Sequence, residues 1–223
     1  MDKKLEKLKS SQNDVFEGMA YVLASLSAPV RIKLMHFLAQ APLTVEVLSQ
    51  KIDQSIANTS MHLRKMLNEK VVSVESIGQK RLYSLHPAAF EFWEQCQDFI
   101  QKIHPELTLP TEKIYGHINW THSLEESFKL LEDGKIIFLD VRPRDEASST
   151  ITNKNFLHIP SNEIESQLSQ LSKKKDIVVY CRGRMCALSA FTVNYLRERG
   201  YKAFRLNESW FSLSQSLQQK ELV

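Results

Sequence analysis

Cysteine is scarce in this chain of 223 residues: Cys96, Cys181 and Cys186 are the whole complement. So small and odd a number argues against a disulfide-stapled secreted scaffold and predicts reduced thiols, so that any disulfide would act as a switch. Long apolar runs are missing too. Nothing approaches the roughly 20 residues of a bilayer-spanning helix, and the opening MDKKLEKLKSS is charged and amphipathic, without the apolar centre of a signal peptide. No membrane association and a cytoplasmic location are expected. With 43% hydrophobic and 25% charged residues, the composition is that of a globular protein and excludes fibrous and disordered classes. A strong charge of one sign is also lacking. The net charge of +3 does not by itself mark a nucleic-acid binder, so its distribution matters more. Residues 55–81 hold five basic side chains (Arg64, Lys65, Lys70, Lys80, Arg81) against Glu69 and Glu75, a net of +3. Residues 82–104 hold Lys102 against Glu91, Glu94 and Asp98, a net of -2.

The length suits two domains of about 100 to 120 residues, each able to bury a core. In the first half, Val22, Leu23, Leu26 and Val30, then Leu34, Met35, Phe37 and Leu38, recur at helical spacing, with Pro29 suited to a first helical turn. TVEVLSQK predicts a short helix capped by Thr44, with Val47 and Leu48 facing inward. After the turn KIDQS, SIANTSMHLRKMLNEK predicts another helix, capped by Ser55, with Ile56, Leu63, Met66 and Leu67 buried. Two short helices about a tight turn form a helix-turn-helix. VVSVES and RLYSLH then alternate apolar and polar residues around IGQK, a hairpin with Gly78 in its turn. The order is that of a winged helix. A last helix over 88–103 carries Phe90, Trp93, Phe99, Ile100 and Ile103, and is expected to pair with the N-terminal helix in burying apolar surface against a twin. Residues 1–104 are thus expected to be a mainly α winged helix-turn-helix domain for DNA binding and dimerisation. Residues 105–121, with two prolines, a glycine and no sustained period, read as a linker.

Residues 122–223 alternate element types. Helix SLEESFKLLEDG, strand KIIFLDV, helix SNEIESQLSQLSKKK, strand DIVVYC, a helix over about 186–200 and strand YKAFRL predict an α/β domain. Its mostly parallel sheet should be covered on both faces, with function at the carboxyl ends of the strands. Cys181 is the first residue after such an end. The loop Cys181-Arg182-Gly183-Arg184-Met185-Cys186 runs straight into a helix, so backbone N–H groups and the helix dipole should form an anion cradle, with Gly183 letting the backbone close. A cysteine there is expected to have a lowered pKa, Arg182 and Arg184 adding positive charge. A zinc clip is disfavoured, because C-x4-C lacks a second pair and His158 is alone. Two inert buried thiols are the plain alternative to a reactive one. Thiolate, persulfide and bound oxyanion all suit the cradle, and neither metal nor cofactor is expected.

This half resembles a rhodanese domain. FLDVRPRDE (residues 138–146) is similar to the early strand and loop of that fold, IVVYCRGRMCALSA to its active-site strand, cysteine loop and helix, and ESWFSL to its tail, where an aromatic packs near the end. The resemblance implies that Cys181 is a nucleophile accepting a sulfane sulfur as a persulfide. It also implies that residues 182–186 form the cradle and that Asp140 and Arg142 are a structural pair bracing the loop. Two departures stand out. NKNFLHIPSN replaces the usual glycine-containing GHIPGA-like segment, and Cys186 stands where many active sulfurtransferases place a charged or hydroxyl residue.

The first half resembles the ArsR/SmtB family of winged-helix repressors in LSAPVRIKLMHFLA, SIANTSMHLRKML and IGQKRLYSL. As a whole, the chain is similar to fused ArsR-rhodanese regulators, whose loop often reads CRGxxC, as here. On the recognition helix, opened by Ser55, the residues Asn58, Met61, His62 and Lys65 turn away from the buried face toward a major groove. Asn58 and His62 suit base edges, Met61 an apolar contact, and Thr59, Arg64 and Lys65 phosphates. The wing tip, Gln79, Lys80 and Arg81, fits a phosphate or minor-groove contact. Metal-sensing relatives carry a cysteine pair on the preceding helix, which TVEVLSQ lacks, and Glu91, Glu94, Cys96, Asp98 and His104 lack the spacing of a metal site. Cys96 reads as an inert core thiol. The function expected is a homodimeric regulator of a double-stranded DNA operator that senses or transfers sulfur from a sulfane-sulfur donor, or binds a small anion, through Cys181. The alternative is a sulfurtransferase or oxyanion reductase that uses its winged helix for assembly.

Overall fold

A computed structural model of the chain describes residues 2–107, 120–147, 154–183 and 185–220. They fall into two compact units, Met1–Gln95 and Cys96–Val223. The first unit is helical: α1 (Asp2–Ala24), α2 (Pro29–Leu38), α3 (Val45–Ile52) and α4 (Ile56–Asn68), then the hairpin β1 (Val72–Ile77) and β2 (Lys80–Leu85). Helix α5 (Pro87–Ile103) follows and spans the division between the units. Of the expected linker, residues 108–119 lie outside the described residues.

Local chemistry sets these boundaries. Pro29 opens α2, where its missing N–H costs nothing. Thr44 caps α3 by accepting from the Val47 N–H, and Asp53, at φ 54°, turns the chain sharply toward α4. Ser55 caps α4 by accepting from the Asn58 N–H. Gly78, at φ +61°, makes the two-residue turn that sets Ile77 opposite Lys80 and Val72 opposite Leu85. Leu43 exchanges backbone hydrogen bonds with Tyr83, tying the segment before α3 to the wing. Leu34, Met35, Leu38, Leu48, Ile52, Leu63 and Met66 fill the centre.

Two details differ from the sequence expectation. The inward stripe of α4 is Thr59, Leu63 and Met66, at helical spacing, while Ile56 at the open first turn is exposed. On α5, Phe90 and Trp93 are buried within the chain itself instead of being left for a twin, while Phe99 and Ile103 are exposed.

The second unit holds β3 (Thr121–His122), α6 (Leu124–Glu132), β4 (Ile136–Asp140), β5 (Phe156–His158), β6 (Asp176–Tyr180), α7 (Ala187–Glu198), β7 (Ala203–Leu206) and α8 (Trp210–Gln219). All pairings are parallel, in the order β3-β7-β6-β4-β5. Alternation along β4 and β6 feeds two cores. Ile137, Leu139, Ile177 and Val179 pack with Val193 and Leu196 of α7. Ile136, Phe138, Val178 and Tyr180 pack with Phe128 and Leu131 of α6 and with Trp210, Leu213 and Leu217 of α8.

The helix expected over 161–175 is not formed. That stretch is a run of turns with one short 3-10 helix, Leu168–Gln170. Its amides reach back three residues (Glu163 to Pro160, Gln167 to Ile164, Gln170 to Gln167), and Ser166 bonds the Glu163 carbonyl. Serine side chains offering the backbone local partners oppose an α-helix there. The short strands β3 and β5 and helix α8 add to the elements the sequence pattern announced.

Candidate functional site

The cysteine loop joins the end of β6 to the start of α7, with Cys186 as the helix N-cap. Its conformation depends on Gly183, whose φ is +102° and whose added Cβ would stand 3.3 Å from the Ser209 Cβ. The loop carbonyls are pinned from behind. The Trp210 N–H donates to the Cys181 carbonyl at 3.1 Å, and Arg205 Nη2 donates to the Gly183 carbonyl at 3.2 Å and the Cys186 carbonyl at 3.4 Å. Arg205 Nε also donates to Ser189 Oγ at 3.1 Å, holding α7 against the same guanidinium. Met185 is half-buried, and Arg184 lies outside the described residues.

Arg182 points into the domain. Its Nε and Nη2 donate to Glu146 at 2.6 and 2.7 Å, and its Nη1 faces Cys186 Sγ at 3.9 Å. Burial opposes the charge, yet the hydrogen bonds of Glu146 and the neighbouring sulfurs raise the Arg182 pKa above the usual guanidinium value. Cys181 and Cys186 are both buried and free of any disulfide. The lowered pKa expected at Cys181 falls instead on its partner. Burial pushes the Cys181 thiol well up, and the neighbouring Cys186 adds to the rise. The neighbouring Cys181 lowers the Cys186 thiol to about 6 against the cost of burial, with help from the Arg182 guanidinium.

Asp140 and Arg142 form a buried pair at the end of β4. Arg142 donates from Nε at 3.0 Å and Nη2 at 2.7 Å, and its backbone N–H closes on Asp140 Oδ1. The Arg142 guanidinium lies 4.4 Å from the centre of the Trp210 ring, which stacks on Tyr180 at 5.6 Å. The brace therefore reaches the cysteine loop through the residue that holds the Cys181 carbonyl. Glu146 and Arg205 escaped the sequence reading. The acid in RPRDE was a signal for Glu146, but Arg205 lies on a strand with nothing local to single it out.

In the first unit, Met61, Arg64 and Lys65 on α4 and Gln79, Lys80 and Arg81 at the wing tip are exposed, and Asn58 bonds Gln54 at 2.6 Å. The Ser55 hydroxyl is engaged as the helix cap. Thr59, expected at phosphates, is instead fully buried and donates its hydroxyl to the Ser55 carbonyl at 2.9 Å, so it cannot reach a nucleic acid without leaving the core. His62 is half-buried, its Nδ1 3.1 Å from Arg31 Nη1. A guanidinium offers only donors, so Nδ1 accepts and the ring proton resides on Nε2. Cys96 is half-buried, and among the described residues no three His, Cys, Asp or Glu side chains gather to hold a metal ion.

Comparison with known proteins agrees with this division. Residues 28–74 match the family "Bacterial regulatory protein, arsR family", and residues 123–216 match "Rhodanese-like domain". The HTH-type transcriptional regulator Rv0324 of Mycobacterium tuberculosis is 23% identical over 198 residues, covering 87% of this chain and 86% of the relative. The homodimeric winged helix-turn-helix DNA-binding domain Mb0332 from Mycobacterium bovis is 16% identical at a TM-score of 0.39, over 48% of this chain and 92% of that one. Reduced CoADR-RHD of Bacillus anthracis is 23% identical at a TM-score of 0.38, over 44% of this chain and 17% of that one. The chain thus joins a winged helix of the ArsR family of bacterial regulatory proteins to a rhodanese-like domain.

Proposed function

We propose that the chain is a homodimeric transcriptional regulator that binds double-stranded DNA and senses reactive sulfur through the Cys181–Cys186 pair. The observation that carries this reading is a pair of free, buried thiols within a loop pinned by Trp210 and Arg205, with the Arg182 guanidinium 3.9 Å from Cys186 Sγ. Such a pair can pass between a reduced form and a sulfur-bridged form by thiol–disulfide exchange. A bridge would alter the loop that Trp210 and Arg205 hold, which supplies two states for a switch.

Support for the DNA role comes from α4 and the wing, where Arg64, Lys65, Lys80 and Arg81 are exposed at a helix face and a hairpin tip. Asn58, Met61 and His62 lie on the same helix and would read base edges, with the cations at phosphates. The dimer reading is supported by α1, which exposes Leu8, Val15, Phe16, Met19 and Tyr21, an apolar surface that a twin would cover. Residues 1–104 would serve DNA and the dimer, 105–121 link, and 122–223 sense sulfur.

The test is a titration of duplex DNA from upstream of the protein's own coding region, at one fixed salt concentration, with reduced and with polysulfide-treated protein. A change in affinity of about tenfold or more is expected, equivalent to about 1.4 kcal/mol. Equal affinity in the two states would sink the sensing role.

A further inference from the structure

A buried guanidinium ties two helices of the first unit together at the flank of α4. Arg31, near the start of α2, is 8% exposed. Its Nη2 donates to the carbonyl of Ala24, the last residue of α1, at 2.9 Å, and its Nη1 meets His62 Nδ1 at 3.1 Å. With one amino group anchored on a helix end, the other is held at the ring. A guanidinium keeps its charge and has no acceptor, so Nδ1 presents its lone pair and the ring proton is confined to Nε2. The surroundings act in the same direction. Partial burial first, then the charges of Arg31 and Lys65, lower the pKa of the ring and disfavour a second proton. The two ring nitrogens point apart, so with Nδ1 turned to Arg31 the Nε2–H is directed away from it, and Nε2 has no partner among the described residues. His62 stands on one flank of α4, with Asn58 one turn before it and the exposed Lys65 one turn after. On that flank the ring offers a donor and no acceptor.

We infer that Arg31 is a positioning residue that makes His62 a donor-only reader of the major groove, and that the base His62 reads is a guanine. This rests on the DNA-binding reading and names the base edge that α4 selects. Guanine alone presents only acceptors, N7 and O6, along its major-groove edge. Adenine sets an amino group beside N7, cytosine offers an amino donor, and thymine carries one oxygen beside a methyl group. A lone donor therefore meets guanine with no opposing donor at either position. A histidine free to exchange tautomers would also accept from the amino groups of cytosine and adenine, and the Arg31 contact removes that option. Because the same guanidinium is anchored on Ala24, the end of α1 fixes the proton with which α4 reads.

Full-length protein is offered a library of random-sequence duplexes at one fixed salt concentration, and the bound fraction is sequenced. The wild type should select a guanine about tenfold over other bases at a position where His62→Ala selects it by about twofold or less, the remainder of the site being retained. Arg31→Met keeps apolar bulk at the buried position and removes the donor. It should relax the same position while its affinity for an unselected duplex stays within about twofold of the wild type, whereas a damaged fold would lower both. A site whose every position keeps its preference in His62→Ala overturns the inference, as does a dependent position that is not guanine. Nitrogen NMR of isotope-labelled wild type, with the His62 ring assigned by its loss in His62→Ala, reads the tautomer in the native protein. The proton should reside on Nε2 near neutral pH, and a proton on Nδ1 overturns the inference even where a guanine is selected. If the ring is held as Nε2–H and no duplex is enriched, the DNA-binding reading falls and takes the guanine assignment with it, leaving Arg31 as a tie between helices.

Discussion

On α4 the charged side chains Arg64 and Lys65 face solvent, whereas in the cysteine loop Arg182 turns inward to Glu146 and Cys186. One region leaves its polar groups open for a ligand that is still to arrive. The other has already matched them: the loop carbonyls meet Arg205 and Trp210, and the guanidinium meets a carboxylate. Under the proposed function, the difference follows from what each region would bind. A long polyanion is met by cations displayed on a surface, where released counterions supply much of the affinity. A small reactive sulfur donor needs a nucleophile whose ionisation is set before it arrives, and only a desolvated, fixed environment shifts a thiol by whole units.

The largest expected effect breaks the inward region. Asp140→Ala leaves Arg142, which is 0% exposed, as an uncompensated buried charge and should cost roughly 3 to 5 kcal/mol of stability, read by urea denaturation. A loss well below that range would mean the pair does not brace the loop. The outward region should respond differently. Replacing Arg64 or Lys65 by Ala should leave stability within about 0.5 kcal/mol. In a fluorescence-anisotropy titration over several salt concentrations, each substitution should flatten the salt dependence of DNA binding by about one counterion. An unchanged slope would take these cations off the phosphate backbone.

Smaller effects sharpen the comparison within α4 itself. Ser55→Ala removes the hydroxyl that receives the Asn58 N–H and should cost about 1 kcal/mol by chemical denaturation. Unaltered stability would show the cap to be idle. The smallest effect concerns His62, whose pKa is lowered from 6.5 by partial burial and then by the charges of Arg31 and Lys65. As pH falls through 6.5 the unfolded chain takes up a proton that the folded ring resists, so the wild type should lose stability on acidification. His62→Asn should show a shallower decline below that pH. Parallel pH profiles for the two proteins would contradict the lowered pKa.

Much of the fold could be read from local pattern. Ser55 and Thr44 mark helix starts because a hydroxyl just before a helix can receive an orphan N–H, and the apolar runs of β4 and β6 announce strands buried on both faces. Stretch 161–175 misled because Ile164, Leu168 and Leu171 fit a helical period as well as a string of turns laid on a sheet. Thr59 misled in the same way. Its position one turn before Leu63 puts it on the inward stripe, but its polarity suggested the outer face.

The sequence by itself determined that a helix-turn-helix with a wing shares a chain with a cysteine loop between strand and helix, since periodicity, caps and a glycine-bearing turn are written in neighbouring residues. Tertiary structure alone decided what surrounds the two cysteines. Glu146 reaches Arg182 across 36 residues and Arg205 reaches Gly183 across 22, and a thiol's ionisation depends on distance and solvent exclusion, which spacing along a chain does not encode.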